Sequence, residues 1–111
     1  MKKENIVKEK KDFDKAFKNK RQVKSKYFYI YINDNNLDKY RFGVCVSKKI
    51  GKAYKRNKYK RRIKDIIDKS KLQFLNKDYI IILKKSGADA EYLELKEDLI
   101  SVFKIIIDRR K

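Results

Sequence analysis

The sequence predicts an α+β fold, with helices packed on one face of a small sheet in a two-layer α/β sandwich. Three observations lead there. Residues 26–32 and 40–47 alternate with period two, as half-buried strands do. Residues 78–84 enclose a continuous aliphatic run, Ile80–Leu83, which fits the centre of a sheet. Around these segments, apolar residues recur at helical spacing. With 111 residues, no proline, three glycines and no internal repeat, one domain spanning 1–111 is expected.

Phe13, Ala16 and Phe17 mark a first helix near 10–19. In 26–32, Phe28, Ile30 and Ile32 share one face, and Tyr27, Tyr29 and Tyr31 the other. Asn33-Asp-Asn-Asn36 reads as a turn. In 40–47, Tyr40, Phe42, Val44 and Val46 oppose Arg41, Gly43, Cys45 and Ser47. A helix over 54–69 carries an inward stripe of Tyr59, Ile63, Ile66, Ile67 and Ser70 at ~100° per residue. Its outward side holds Asn57, Lys58, Arg61 and Lys64, while Arg56 lies over the stripe at the N-terminal end. After the strand at 78–84, Ser86-Gly87 breaks the chain. A last helix over about 89–107 buries Tyr92, Leu95, Leu99, Val102, Phe103 and Ile106, leaving Glu94, Glu97 and Asp98 solvated. The tyrosine row and the small residues of 40–47 are expected on the sheet's uncovered face.

Charge narrows the function. Thirty-three basic against 15 acidic residues give +18, and residues 1–85 alone hold 28 against 9. Lys48 to Lys64 contains ten basic residues and no acid. A run of one sign costs stability through self-repulsion, which points to a polyanionic partner. Tyrosines beside a cationic helix suit single-stranded nucleic acid, with bases stacking at ~1–3 kcal/mol each. The absence of histidine removes imidazole metal sites and Ser-His or Cys-His nucleophile systems. One cysteine, Cys45, forms no internal disulfide and reads as a small buried spacer. No apolar run has signal-peptide or membrane-span length, so a soluble, cytoplasmic protein is expected.

Arg41-Phe-Gly-Val-Cys-Val-Ser-Lys-Lys-Ile-Gly51, followed by Lys55-Arg-Asn-Lys-Tyr-Lys-Arg-Arg-Ile-Lys-Asp65, resembles the protein subunit of bacterial ribonuclease P. That signature is a strand ending Val-Ser-Lys-Lys-Val/Ile-Gly, then a helix opening Arg-Asn-Arg-x-Lys-Arg-x-x-Arg. The Asp12-Phe13…Phe17 helix, the aromatic strand ending at Tyr31, Asp78-Tyr-Ile-Ile-Ile and Tyr92-Leu-Glu-Leu…Leu99…Val102-Phe103 follow the family's order. Lys58 and Lys64 stand where arginine is usual, keeping charge without the bidentate fork. The resemblance implies the order αβββαβα with a left-handed βαβ crossover, one strand more than the pattern reveals. It implies an RNA subunit that performs the chemistry, removing the 5′ leader of precursor tRNA with Mg²⁺ held mainly by that RNA and the substrate. It implies no catalytic residue, no nucleotide cofactor and no membrane partner. Lys48, Lys49, Arg56, Asn57, Lys60, Arg61 and Arg62 are then expected on the RNA subunit, and the outward row of the helix adds Lys64. Phe13, Phe17 and Tyr31 are expected on the leader, with Tyr29 as a neighbour from the strand pattern.

Three other readings are weighed. A basic RNA-binding protein of the ribosome or translation apparatus fits the composition but not these motifs. A stand-alone nuclease lacks clustered carboxylates. A membrane-surface helix over 54–69 has an apolar face without Trp or Phe, better suited to packing on a sheet.

Overall fold

The computed structural model describes residues 1–19 and 21–109. Its elements are α1 (Lys10–Lys18), β1 (Gln22–Lys24), β2 (Phe28–Asp34), β3 (Arg41–Cys45), α2 (Ala53–Ser70), β4 (Lys77–Leu83) and α3 (Tyr92–Arg109), with 3₁₀ turns at Lys3–Asn5, Lys48–Ile50 and Lys85–Gly87. The order αβββαβα is the one the resemblance implies. The strand missing from the periodicity is β1, whose three residues are too few to show an alternation. The sheet runs β1-β2-β4-β3; β4 is antiparallel to β2 and parallel to β3, so α2 is the crossover between neighbouring parallel strands.

One core lies between the sheet and the two long helices. Tyr59, Ile63, Ile66 and Ile67 of α2 and Leu95, Leu99, Val102, Phe103 and Ile106 of α3 are buried, as their stripes predict. They meet Phe28, Ile30 and Ile32 of β2, Phe42 of β3 and Tyr79, Ile81 and Leu83 of β4. Phe42 stacks on Tyr79 at 5.4 Å, and Phe74 and Phe103 close edge-on around the pair. Each fully buried side chain of this size contributes ~1.5–3 kcal/mol. Ser70, expected inward, is half-buried at the end of α2, where its hydroxyl donates to the Ile67 carbonyl.

The expectation that all helices share one face is corrected by α1. It packs on the opposite face, where Ala16 and Val7 cover Ile80 of β4, with Phe13, Tyr31, Cys45 and Ile82 around them. The reason is that β4 is aliphatic on both sides, and Ile80 needs cover that the first core cannot give. Arg41 fastens the arrangement. Its Nε and Nη2 donate to Asp78 at 2.8 and 2.6 Å, its Nη1 lies 3.5 Å from Asp12 of α1, and Asn35 adds a bond to Asp78 at 2.9 Å. Hydrogen bonding to Asp78 pushes the guanidinium further above its ordinary pKa.

Tyr27 also departs from expectation. It precedes β2, its ring is buried in the first core, and its hydroxyl donates to Glu94 at 3.0 Å. Asp98 accepts from the Tyr27 amide at 2.9 Å and the Ser25 hydroxyl at 2.8 Å. Glu94 and Asp98 therefore fasten the β1–β2 connection; Glu94 and Glu97 are exposed, as expected, and Asp98 is half-buried. Asn33 and Asp34, read as turn, belong to β2, and the reversal falls on Asn35 and Asn36, the latter at φ 55°. Removing Arg41 leaves Asp78 buried without its countercharge, so Arg41→Ala should lower unfolding free energy by about 3 kcal/mol. Urea titration of the variant should show a reduced midpoint at an unchanged slope.

Candidate nucleic-acid interface

Strand register arranges the second sheet face in rows. Gly43, Ile80 and Tyr31 lie side by side; the next row is Cys45, Ile82, Tyr29 and Lys24. The first row sits under α1. A Cβ at position 43 would lie 2.6 Å from Phe13 Cε1 and 2.9 Å from Ile80 Cδ1, so only glycine lets the Phe13 ring come down onto the strand. Phe17 stands edge-on to Tyr31 with centroids 5.0 Å apart, and at 37% exposure it remains open to solvent. Phe13, Phe17 and Tyr31 thus come together as one aromatic wall.

The second row forms the floor of a cleft beside that wall. Cys45, Ile82 and Tyr29 are half-buried, and four strands at ~4.8 Å spacing make the row about 14 Å wide. Lys84 donates to the Ser25 carbonyl at 2.6 Å and holds its ammonium 4.5 Å above the Tyr29 ring, while Lys24 stands at 5.8 Å. Burial pushes the Cys45 thiol above its ordinary pKa, opposed by the nearby Lys60 charge. Lys24 stands at the β1 end of the cleft. Lys24 and Lys84 are absent from the sequence-derived site. Their place depends on the pairing of β1 and β4 with β2, which the local pattern does not carry.

The cationic segment follows directly from β3. Ser47 accepts from the Lys49 amide at 3.1 Å and starts the 3₁₀ turn that exposes Lys48 and Lys49. On α2, Asn57, Lys58 and Arg61 are exposed, as predicted. Lys64 is half-buried rather than fully outward, one turn beyond Lys60 on the helix flank. Arg62 lies 6.0 Å from the Tyr59 ring. Arg56 is half-buried over the start of the stripe, and its Nε is buried without a hydrogen-bond partner among the described residues. Between Lys48 and Lys64, Lys55 alone is in an ion pair, with Asp89 at 3.7 Å, among the described residues. The segment therefore keeps almost all of its charge unneutralised. Among the described residues, no group of three or more Cys, Asp and Glu side chains gathers to hold a metal, and no helix is long and apolar enough to cross a membrane.

Fold and charge together define a small cationic α+β protein with an aromatic cleft beside an unneutralised basic helix. The chain belongs to the ribonuclease P protein family, whose model matches residues 1–107 under the description Ribonuclease P. It is 36% identical over 105 residues to the ribonuclease P protein component of Streptococcus thermophilus, covering 95% of both chains. The Staphylococcus aureus RNase P protein superposes with a TM-score of 0.85 at 34% identity, over 92% of this chain and 94% of that one. The Thermotoga maritima RNase P protein gives 0.80 at 27% identity, over 86% and 92%.

Gly43→Ala tests the cleft wall. The new methyl should displace the half-buried Phe13 ring at a cost of about 1 kcal/mol. The variant should still fold, with the aromatic NMR signals of Phe13, Phe17 and Tyr31 shifted and those of the first core unmoved.

Proposed function

We propose that this protein grips two RNAs at once, the catalytic RNA subunit of ribonuclease P and the 5′ leader of precursor tRNA. The carrying observation is that a basic segment with Lys55 as its one ion-paired member among the described residues follows directly from β3, whose Cys45 floors the aromatic cleft. Lys48, Lys49, Arg56, Asn57, Lys60, Arg61, Arg62 and Lys64 meet the RNA subunit, mainly through phosphates. Arginines supply forks, while lysines act as point charges. The leader lies in the cleft, where Phe17, Tyr31 and Tyr29 offer ring surface to unpaired bases and Phe13 fixes the wall. The carboxylates flanking that wall, Asp12 and Asp78, are engaged by Arg41. Mg²⁺ is then held by phosphates of the RNA subunit and the substrate, and the protein assists by concentrating those phosphates. The hydrolysis of the leader belongs to the RNA. The single cysteine, unpaired, suits the reducing cytoplasm.

Two substitutions separate the surfaces. Tyr31→Ala should weaken precursor tRNA binding by the holoenzyme while leaving mature tRNA binding and RNA-subunit affinity unchanged; equal losses for both substrates would contradict the cleft assignment. Arg61→Ala should weaken RNA-subunit binding. If about six phosphates are contacted, the log–log salt slope should be near −5 and fall in magnitude by roughly one. Cleavage assays at low Mg²⁺ with and without the protein test the whole reading, which fails if the RNA cuts equally well alone at every Mg²⁺ concentration.

A further inference from the structure

A second cationic surface lies on α1, across the sheet from α2. Lys11, Lys15 and Lys18 stand at i, i+4 and i+7, on the side opposite buried Ala16, and all three are exposed. The ridge they form is about 10 Å long at 1.5 Å per residue. Lys11 is paired with Glu9 at 3.1 Å, but neither Lys15 nor Lys18 is in an ion pair among the described residues. Of the helix's two acids, Asp12 is turned toward Arg41, leaving Asp14 alone against the ridge. Lys15 and Lys18 leave this face with a net positive charge, which an anionic partner relieves as it does on α2. The sheet and the first core stand between α1 and α2.

The ridge begins where the cleft ends. Phe17, the exposed member of the aromatic wall, is next to Lys18 in sequence, and one turn of helix separates Lys18 from Lys15. A strand that stacks on Tyr31 and Phe17 and continues around α1 would meet Lys18 and then Lys15. Flexible ammonium groups suit such an exit, since they contact phosphate without demanding a fixed geometry or sequence. We propose that the outer face of α1 is a second RNA-contact surface, which holds the phosphates of a leader that extends beyond the cleft. This rests on the leader-binding reading above.

The test is a double variant, Lys15→Gln with Lys18→Gln, in the reconstituted holoenzyme. Both positions are exposed and unpaired, so its thermal midpoint should equal that of wild type. Precursor tRNAs with leaders of about four and about twelve nucleotides, and mature tRNA, are titrated across salt concentrations. The long-leader precursor should bind roughly 10-fold more weakly, and its log–log salt slope should fall in magnitude by about 1.4, two contacts at ~0.7 each for a single strand. The short-leader precursor and mature tRNA should bind as to wild type. Unchanged long-leader affinity overturns the inference and leaves α1 a solvated face. An equal loss for all three substrates also overturns it, because the lysines then serve the RNA subunit or the tRNA body. If wild type itself gains no affinity from any leader, the leader-binding reading falls first, and the inference with it.

Discussion

The constraint from which the rest of the molecule follows is that β4 is apolar on both faces and sits between two other strands. Tyr79, Ile81 and Leu83 point one way and Ile80 and Ile82 the other, all at the middle of a four-stranded sheet. A two-faced strand of this kind needs cover on both sides. The long amphipathic helices α2 and α3 cover the middle of one face and bury Phe28, Ile30, Tyr79 and Ile81. The nine residues of α1 span about 13 Å, roughly the width of the sheet, but a single helix shields only one row and its margins. It takes the Gly43–Ile80–Tyr31 row and leaves the Cys45–Ile82–Tyr29 row half open. The cleft is the part of the second face that one short helix cannot reach.

That asymmetry explains what was legible in the sequence. Both long helices, three of the four strands and the helical side of the first core follow from periodicity, because Tyr59, Ile63, Ile66 and Leu95, Leu99, Phe103 repeat with the helical period over many turns. The side on which α1 docks was not legible. Phe13, Ala16 and Phe17 show that a helix has an apolar face but not which sheet face receives it. Tyr27 misled for a related reason. Its alternation with Tyr29 and Tyr31 holds only if the strand begins before Phe28, and the bonds from Asp98 to Ser25 and Tyr27 end the strand there and turn the ring into the first core. β1 is three residues of unremarkable composition, held by pairing rather than by its own propensity. Among the site residues, the basic helix could be read from charge alone. The aromatic wall needed the family resemblance, since Phe13 and Phe17 by themselves describe ordinary helix packing. Lys24 and Lys84 needed the sheet register.

The distribution of ion pairs shows how a chain of +18 folds despite its charge. The carboxylates are spent at the ends and seams of the structure: Asp78 and Asp12 on Arg41, Asp34 on Arg21 and Lys77, Asp65 on Lys69 and the Tyr92 hydroxyl. These contacts fix β-strand ends and the α2–α3 seam, and they leave the start of α2 almost unopposed. Self-repulsion is thus confined to surfaces where flexible side chains can spread into solvent, and salt or a polyanion relieves it.

The same placement decides what kind of contact each surface can make. On the cleft side, Arg41 neutralises Asp12 and Asp78, the two carboxylates beside the aromatic wall. Cations over Tyr29 come from opposite edges of that ring's neighbourhood, Lys24 on β1 and Lys84 at the end of β4, and Lys84 is held in place by the Ser25 carbonyl. The β1–β2 connection is in turn pinned by Asp98 of α3, which belongs to the first core. The geometry of the open face is therefore set by packing on the closed one. A change in α3 would alter the cleft through Asp98 and Ser25 before it altered the basic helix.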